Sequence, residues 1–171
     1  MKFSKGLTFL EIIIALSLFT IALLGIFQMF NMALNAGYRA TQETIATNLA
    51  RGLMNEIMSK NFEDPMEPGT DIGPNTEEIT RSHFDDVDDY HGLTESPPVT
   101  VGGADMDGTG EPPLPDYSDF TRNVTVVYCN IDGANNIVVS GSPTNYKQIK
   151  VTVSGPYTRD ILIDAVKARV P

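Results

Sequence analysis

The feature that most constrains this chain is a stretch of 27 residues, Ile12 to Tyr38, without an acidic or basic side chain. From Ile12 to Phe30 almost every residue is apolar, and a helix that spans a membrane needs about 20 such residues. A secretory signal peptide has a shorter apolar core of about 7 to 15 residues. The stretch therefore predicts a membrane-spanning helix, and a plain single-pass anchor is one interpretation of it.

A lone carboxylate, Glu11, lies where this apolar stretch begins. A charged side chain at the centre of a membrane helix costs about 2.5 to 3.5 kcal/mol on insertion scales and less near the interface, so Glu11 calls for a partner. Cleavage between Gly6 and Leu7 would create an α-amino group, which is positively charged at neutral pH because such groups titrate near about 8. A plain anchor leaves Glu11 unexplained.

The run Lys5-Gly6-Leu7-Thr8-Phe9-Leu10-Glu11, followed by the apolar stretch, resembles the class III signal of type IV pilins and of type II secretion pseudopilins. The resemblance implies that prepilin peptidase cleaves after Gly6 and that the new terminus, Leu7, is N-methylated. It also implies that Glu11 is the docking carboxylate, which pairs with the amine of a neighbouring subunit during filament assembly.

Within that family the chain is most similar to minor pilins and minor pseudopilins. Many major pilins close a C-terminal loop with two cysteines, whereas Cys129 is the only cysteine here. The segment from Asp85 to Gly92 also resembles one in minor pilins of the mannose-sensitive haemagglutinin type. The implied partners are other pilin or pseudopilin subunits, prepilin peptidase, the inner-membrane assembly platform and, before assembly, membrane lipid.

Charge predicts the orientation of the chain. Lys2 and Lys5 precede the apolar stretch, which favours a cytoplasmic leader and a periplasmic head. The resemblance then implies a single-pass inner-membrane protein that passes into a periplasmic pseudopilus or a cell-surface pilus. The formal net charge of −10 argues against a nucleic-acid partner, because such proteins usually carry a basic face.

The predicted helix continues beyond the membrane, from Leu7 to about Asn61, because the first proline is Pro65 and apolar residues recur every fourth position. These residues form two adjacent rows, which predict one buried stripe. The rows are Ile45, Leu49, Leu53 and Ile57, with Ala46, Ala50, Met54 and Met58 beside them.

The predicted fold class is α+β, a long helix packed on a small antiparallel sheet as in pilins. Residues 1–6 form the leader, residues 7–30 the transmembrane half of the helix and residues 31–61 its amphipathic half. Residues 62–120, which are acidic and rich in proline and glycine, are predicted to be loop. Residues 121–171 alternate apolar and polar side chains, as strands do, and predict three or four strands ending in the run from Ile161 to Val170.

Two acidic clusters are candidate calcium sites, because calcium takes six to eight oxygen ligands. The first contains Asp85, Asp86, Asp88 and Asp89, and the second contains Asp105 and Asp107. Major pseudopilins use a calcium ion bound in a loop, which the resemblance extends to this chain as a hypothesis. The alternative is that these are solvated loop charges. A membrane-anchored module that binds a ligand or calcium is therefore the second candidate function.

No enzyme and no other cofactor is predicted. His83 and His91 are the only histidines, and the sequence contains no Gly-x-Ser-x-Gly motif, zinc-ligand spacing or glycine-rich phosphate loop. Cys129 is expected to be buried within a strand, with an intermolecular disulfide or palmitoylation as the alternatives.

Overall fold

The structure is a computed structural model that describes residues 8–64, 72–75, 78, 80–109, 116–156 and 158–170. Within these residues it contains one long α-helix, two short 3₁₀ helices and five strands, which confirms the predicted α+β fold. The elements are α1 (Phe9–Ser59), the 3₁₀ helices Arg81–His83 and Asp88–Tyr90, and strands β1 (Thr94–Glu95), β2 (Thr121–Ile131), β3 (Ile137–Val139), β4 (Tyr146–Ser154) and β5 (Ile161–Ala168).

Helix α1 begins just after Thr8. The Thr8 Oγ1 accepts a hydrogen bond from the backbone N–H of Glu11 at 3.4 Å, and a Thr followed three residues later by Glu is a common signal for a helix start. The helix ends at Ser59, two residues before the predicted Asn61. Contacts divide the chain into two compact units, Met1–Thr41 and Gln42–Pro171, so α1 contributes to both.

The sheet in the second unit is built around β2. Strand β4 pairs with β2 over the register from Thr121↔Ser154 to Cys129↔Tyr146, and β5 pairs with the far side of β4. The strand order is β1-β2-β4-β5, with β3 also paired to β2, and all pairs are antiparallel. The described part of residues 121–171 contains four strands, β2 to β5, which confirms the expected three or four, and the fifth strand, β1, comes from the segment predicted to be loop. Strand β5 ends at Ala168 instead of continuing to Val170.

The core of the second unit lies between α1 and one face of the sheet. The helix buries six apolar residues there, which are Ala46, Leu49, Ala50, Leu53, Met54 and Ile57. They pack with inward-facing residues of β2 and β4, including Val126, Ile149 and Val151. The predicted stripe is confirmed at these six positions, whereas Ile45 is only partly buried against the core and Met58 is 38% exposed. At about 25 cal/mol per Å² of apolar surface, this burial is the main source of stability for the unit.

The described parts of the acidic segment 62–120 contain more structure than the predicted loop. They include both 3₁₀ helices and β1, whose Glu95 pairs in register with Arg122 of β2. Asp86, Asp88 and Asp89 are buried, so the expectation of solvated charges is wrong for these three residues. Their burial is tolerated because Asp86 and Asp89 accept hydrogen bonds from backbone N–H groups and Asp88 forms an ion pair with Lys147.

Candidate functional site

The N-terminal signal is only partly within the described residues. Gly6 and Leu7 lie outside them, so the predicted cleavage and methylation sites stay predictions. Glu11 is exposed in the first turn of α1. A carboxylate is favourable there because the helix dipole places partial positive charge at this end. Among the described residues Glu11 forms no salt bridge, which leaves its carboxylate accessible to another molecule.

Three polar side chains in the uncharged stretch of α1 form hydrogen bonds within the helix itself. Ser17, Thr20 and Asn31 each donate a hydrogen bond to the carbonyl oxygen four residues earlier, at 2.8, 2.8 and 3.0 Å. Polar groups in hydrocarbon or in a dry helix bundle need internal partners of this kind, because no water is present to bind them. These three residues therefore fit an environment without water.

The apolar half of α1 is exposed along its length. An 18-residue window has a mean hydropathy of 2.5 and none of it is buried, so α1 is long and apolar enough to cross a membrane. An exposed apolar surface of this size is normally covered by lipid or by other apolar surfaces. The exposed side chains include Ile14, Leu18, Ile21, Leu24, Phe27 and Phe30.

The first predicted calcium cluster is a tight turn held by its own carboxylates. Asp86 Oδ1 accepts backbone N–H groups from Asp88 and Asp89 at 2.6 and 3.3 Å. Asp89 Oδ2 accepts those of Asp85 and Asp86 at 2.8 and 3.1 Å. Burial raises the pKa of Asp89 to about 6, although these backbone hydrogen bonds oppose the shift, and the nearby Glu78 carboxyl adds to it. The turn thus concentrates acidic groups that resist ionisation.

Three carboxyl groups converge at this turn. One carboxylate oxygen from each of Glu78, Asp85 and Asp89 lies within 4.8 Å of the others, a spacing that would allow them to hold a divalent cation. Among the described residues, Asp105 and Asp107 are not part of this group. Sequence reasoning missed Glu78, because nothing in its local sequence shows that the chain returns to the turn.

A network of buried charges connects other residues of the acidic segment, 62–120, to α1 and β2. Arg81 binds Glu56 of α1 and, at 2.7 Å, Glu95 of β1, while Arg122 of β2 also binds Glu95. The hydroxyl of Tyr90 donates to Glu56 at 2.8 Å. Burial alone would raise the pKa of Glu56, but the hydrogen bonds from Arg81 and Tyr90 outweigh it and lower that pKa. This network joins the helix, the acidic segment and the sheet.

Lys147 of β4 forms a second buried pair. Its side chain is fully buried, and its Nζ lies 2.6 Å from Asp88 Oδ2 while also donating to the carbonyl oxygen of Phe62. The ammonium group faces the rings of Phe62 and Tyr128, at 4.3 and 5.2 Å from their centroids. Within the described part of the chain, Asp88 Oδ1 and the Tyr128 hydroxyl are buried without a hydrogen-bond partner.

His91 and Cys129, also singled out in the sequence, contribute to the structure of the sheet. His91 Nδ1 accepts the backbone N–H of Val126 at 3.1 Å and so closes part of the edge of β2. Cys129 is fully buried, as expected for a structural thiol.

The long apolar helix on a small antiparallel sheet is consistent with a pilin-like architecture. No known protein family, curated protein or solved structure compared with the chain matches it.

Proposed function

We infer that this protein is a structural subunit of a type IV pilus or a type II secretion pseudopilus, of the minor pilin or minor pseudopilin kind. The observation that carries this conclusion is the exposed apolar half of α1 with Glu11 in its first turn. Such a helix buries its surface either in lipid or against equivalent helices, and a filament core supplies the second environment. The folded unit that follows is the head.

Glu11 would fix the register in which neighbouring helices assemble. In the proposal, prepilin peptidase removes residues 1–6 in the inner membrane, and the amine of Leu7 then pairs with Glu11 of a neighbouring subunit. An unpaired charge in a dry helix bundle is strongly unfavourable, so the pair selects one alignment of the helices. The positive partner arises only after cleavage, which makes assembly on the inner-membrane platform depend on processing.

The test combines the mature N-terminus with a pair of variants. Mass spectrometry of the protein from its native host is expected to find N-methylated Leu7, and an intact Met1 terminus would contradict the proposal. Glu11→Ala is expected to leave the head folded but to prevent incorporation into filaments. Glu43→Ala, which removes another exposed acid of α1, is expected to assemble normally. Equal assembly of both variants would exclude the docking role of Glu11.

A membrane-anchored module that binds calcium is the second candidate function. The convergence of Glu78, Asp85 and Asp89 within 4.8 Å supports it. The two candidates differ in what accompanies the protein, because only a filament subunit co-purifies with other pilins.

A further inference from the structure

A cavity of about 290 Å³ lies in the head, between α1 and the acidic segment. Its exposed lining residues, Asn48, Gly52 and Val101, lie at the mouth, and the buried residues Arg81 and Arg122 lie at the bottom. The volume is at the lower end of the range of about 300–1,000 Å³ that is typical of ligand sites. A ligand that fills this cavity is therefore small.

The walls of the cavity are mainly apolar, and an apolar wall favours a hydrocarbon group because that group leaves water when it binds. Part of the wall is held in place by hydrogen bonds. Both Arg81 and Arg122 donate to the carbonyl oxygen of Val99, at 2.6 and 2.5 Å. The apolar lining residues are Ile45 and Leu49 of α1, with Val99, Val101, Met106 and Tyr117 of the acidic segment.

The bottom of the cavity carries positive charge. The lining contains two guanidinium groups, those of Arg81 and Arg122, and one carboxylate, that of Glu56. Both oxygens of Glu56 already accept hydrogen bonds from Arg81. Glu95, which binds both arginines, is not a lining residue. The lining therefore has an excess of one positive charge, on a chain whose formal net charge is −10.

The guanidinium group of Arg122 retains an unused donor. Its Nε and Nη2 bind Glu95 and the carbonyl oxygen of Val99, whereas Nη1 has no hydrogen-bond partner among the described residues. Nη1 is not one of the described polar atoms that are fully buried without a partner, so it is accessible from the cavity. Burial lowers the pKa of Arg122 although Glu95 opposes the shift, and Arg81 adds to it. A further anion would therefore stabilise the charged guanidinium.

We propose that this cavity binds a small aliphatic carboxylate. The hydrocarbon chain lies against the apolar walls, and the carboxylate accepts a hydrogen bond from Nη1 of Arg122. Such a charge-assisted hydrogen bond is stronger than one between neutral groups, and apolar walls that exclude water strengthen it further. An amine with the same chain meets the same walls but is repelled by the two guanidinium groups. The site does not depend on the chain being a filament subunit.

Sodium hexanoate is the probe, and hexylamine is the control with the same chain length and the opposite charge. Isothermal titration calorimetry of the full chain in lipid nanodiscs at neutral pH is expected to show saturable binding of hexanoate, with empty nanodiscs as the blank. Hexylamine is expected to bind at least about tenfold more weakly. No saturable binding of hexanoate at millimolar concentration, or equal binding of the two probes, would overturn the proposal.

A substitution in α1 locates the ligand. Gly52→Leu places a side chain in the cavity, and it is expected to fold because a Cβ at Gly52 meets no other atom within 4 Å and leucine favours helix more than glycine does. It is expected to weaken hexanoate binding by about tenfold or more. Gly37→Leu, at an exposed position of α1 that does not line the cavity, should leave binding unchanged. Unchanged binding in Gly52→Leu would show that hexanoate binds elsewhere.

A second substitution tests the charge of the ligand. Val101 is 61% exposed at the mouth, so Val101→Asp adds a carboxylate there without disturbing the core. Repulsion is expected to weaken hexanoate binding, whereas Val138→Asp, at an exposed position of β3, should not. Equal hexanoate affinity of these two variants would contradict the binding of an anion in this cavity.

Discussion

The guanidinium group of Arg81 holds the carboxylate of Glu56, with Nε donating to Oε1 at 3.0 Å. This contact joins helix α1 to a segment 25 residues later in the chain. Arg81 is the only arginine or lysine between Asn61 and Phe120, where 16 acidic residues occur. Its guanidinium also binds Glu95, which Arg122 binds as well, so two arginines balance these two carboxylates and allow the acidic segment to pack against the head.

Arg81→Met is therefore expected to destabilise the head by about 3–5 kcal/mol, because it leaves Glu56 and Glu95 without this buried partner. Chemical denaturation of the full chain in detergent, monitored by a spectroscopic signal of the β-sheet, measures the change in the free energy of unfolding. Arg51→Met is the matched control, since Arg51 is exposed on α1 and its loss should change stability by less than about 0.5 kcal/mol. Equal effects of the two variants would show that the Arg81 network contributes no particular stability.

Asp89 is one of two groups, with Asp88, whose raised pKa of about 6 makes stability depend on pH. Its pKa is about 6 in the folded chain against a reference value of 3.8, so the folded chain binds the proton more tightly. The resulting contribution is fully present below about 3.8 and is lost as the pH rises through about 6. The melting temperature of the head is expected to be higher at about pH 5 than at about pH 7.5.

Asp89→Asn tests the source of this dependence, because asparagine keeps an acceptor oxygen but does not titrate. The variant is expected to show a smaller difference between the two pH values, whereas Asp160→Asn at an exposed position should leave the difference unchanged. Glu56 acts in the opposite sense, since its lowered pKa makes stability fall at more acidic pH, below its reference value of 4.5. An unchanged pH profile in Asp89→Asn would assign the titration to another group.

Regular periodicity made the main elements predictable. A spacing of four, as in Leu49 and Leu53, identified the buried face of α1, and the alternation around Val126 and Val151 identified β2 and β4. Strand β1 has two residues, too few for alternation to be recognised. Helix α1 and strands β2 and β4, unlike β1, were therefore predictable because a local pattern in the sequence identifies each of them.

The buried charges were not predictable in the same way. Arginine and lysine side chains are usually exposed, so the burial of Arg81 and Lys147 was not expected. Their partners, Glu56 and Asp88, lie 25 and 59 residues away in sequence. The burial of Asp88 depends on those distant contacts, so the local pattern of acidic residues predicted either a calcium site or solvated loop charges and gave no sign of a buried ion pair. Glu78 joins the acidic turn for the same reason, through a fold that a single sequence does not specify.

Calcium binding at Glu78, Asp85 and Asp89 would relieve repulsion among their carboxylates. If the second candidate function holds, calcium but not magnesium is expected to raise the melting temperature of the full chain, by an amount that grows with the logarithm of calcium concentration above the dissociation constant. Asp85→Asn should abolish the increase and Asp105→Asn should preserve it, because Asp105 is outside the group of three. A response that Asp105→Asn removes instead would place the ion elsewhere.

Leu53 and Leu18 are the same residue type on the same helix in opposite environments. Leu53 is fully buried in the head, whereas Leu18 is 63% exposed in the apolar half of α1. Leu53→Ala is expected to lower the free energy of unfolding of the head by about 2–5 kcal/mol, because a cavity replaces packed side-chain atoms. Leu18→Ala removes no contact within the head, so its melting temperature should not change. In a filament subunit, however, Leu18→Ala is expected to reduce assembly, because the helices of neighbouring subunits would pack around that position. Measuring head stability and filament yield for both variants separates the two roles of α1, and a loss of head stability in Leu18→Ala would contradict this division.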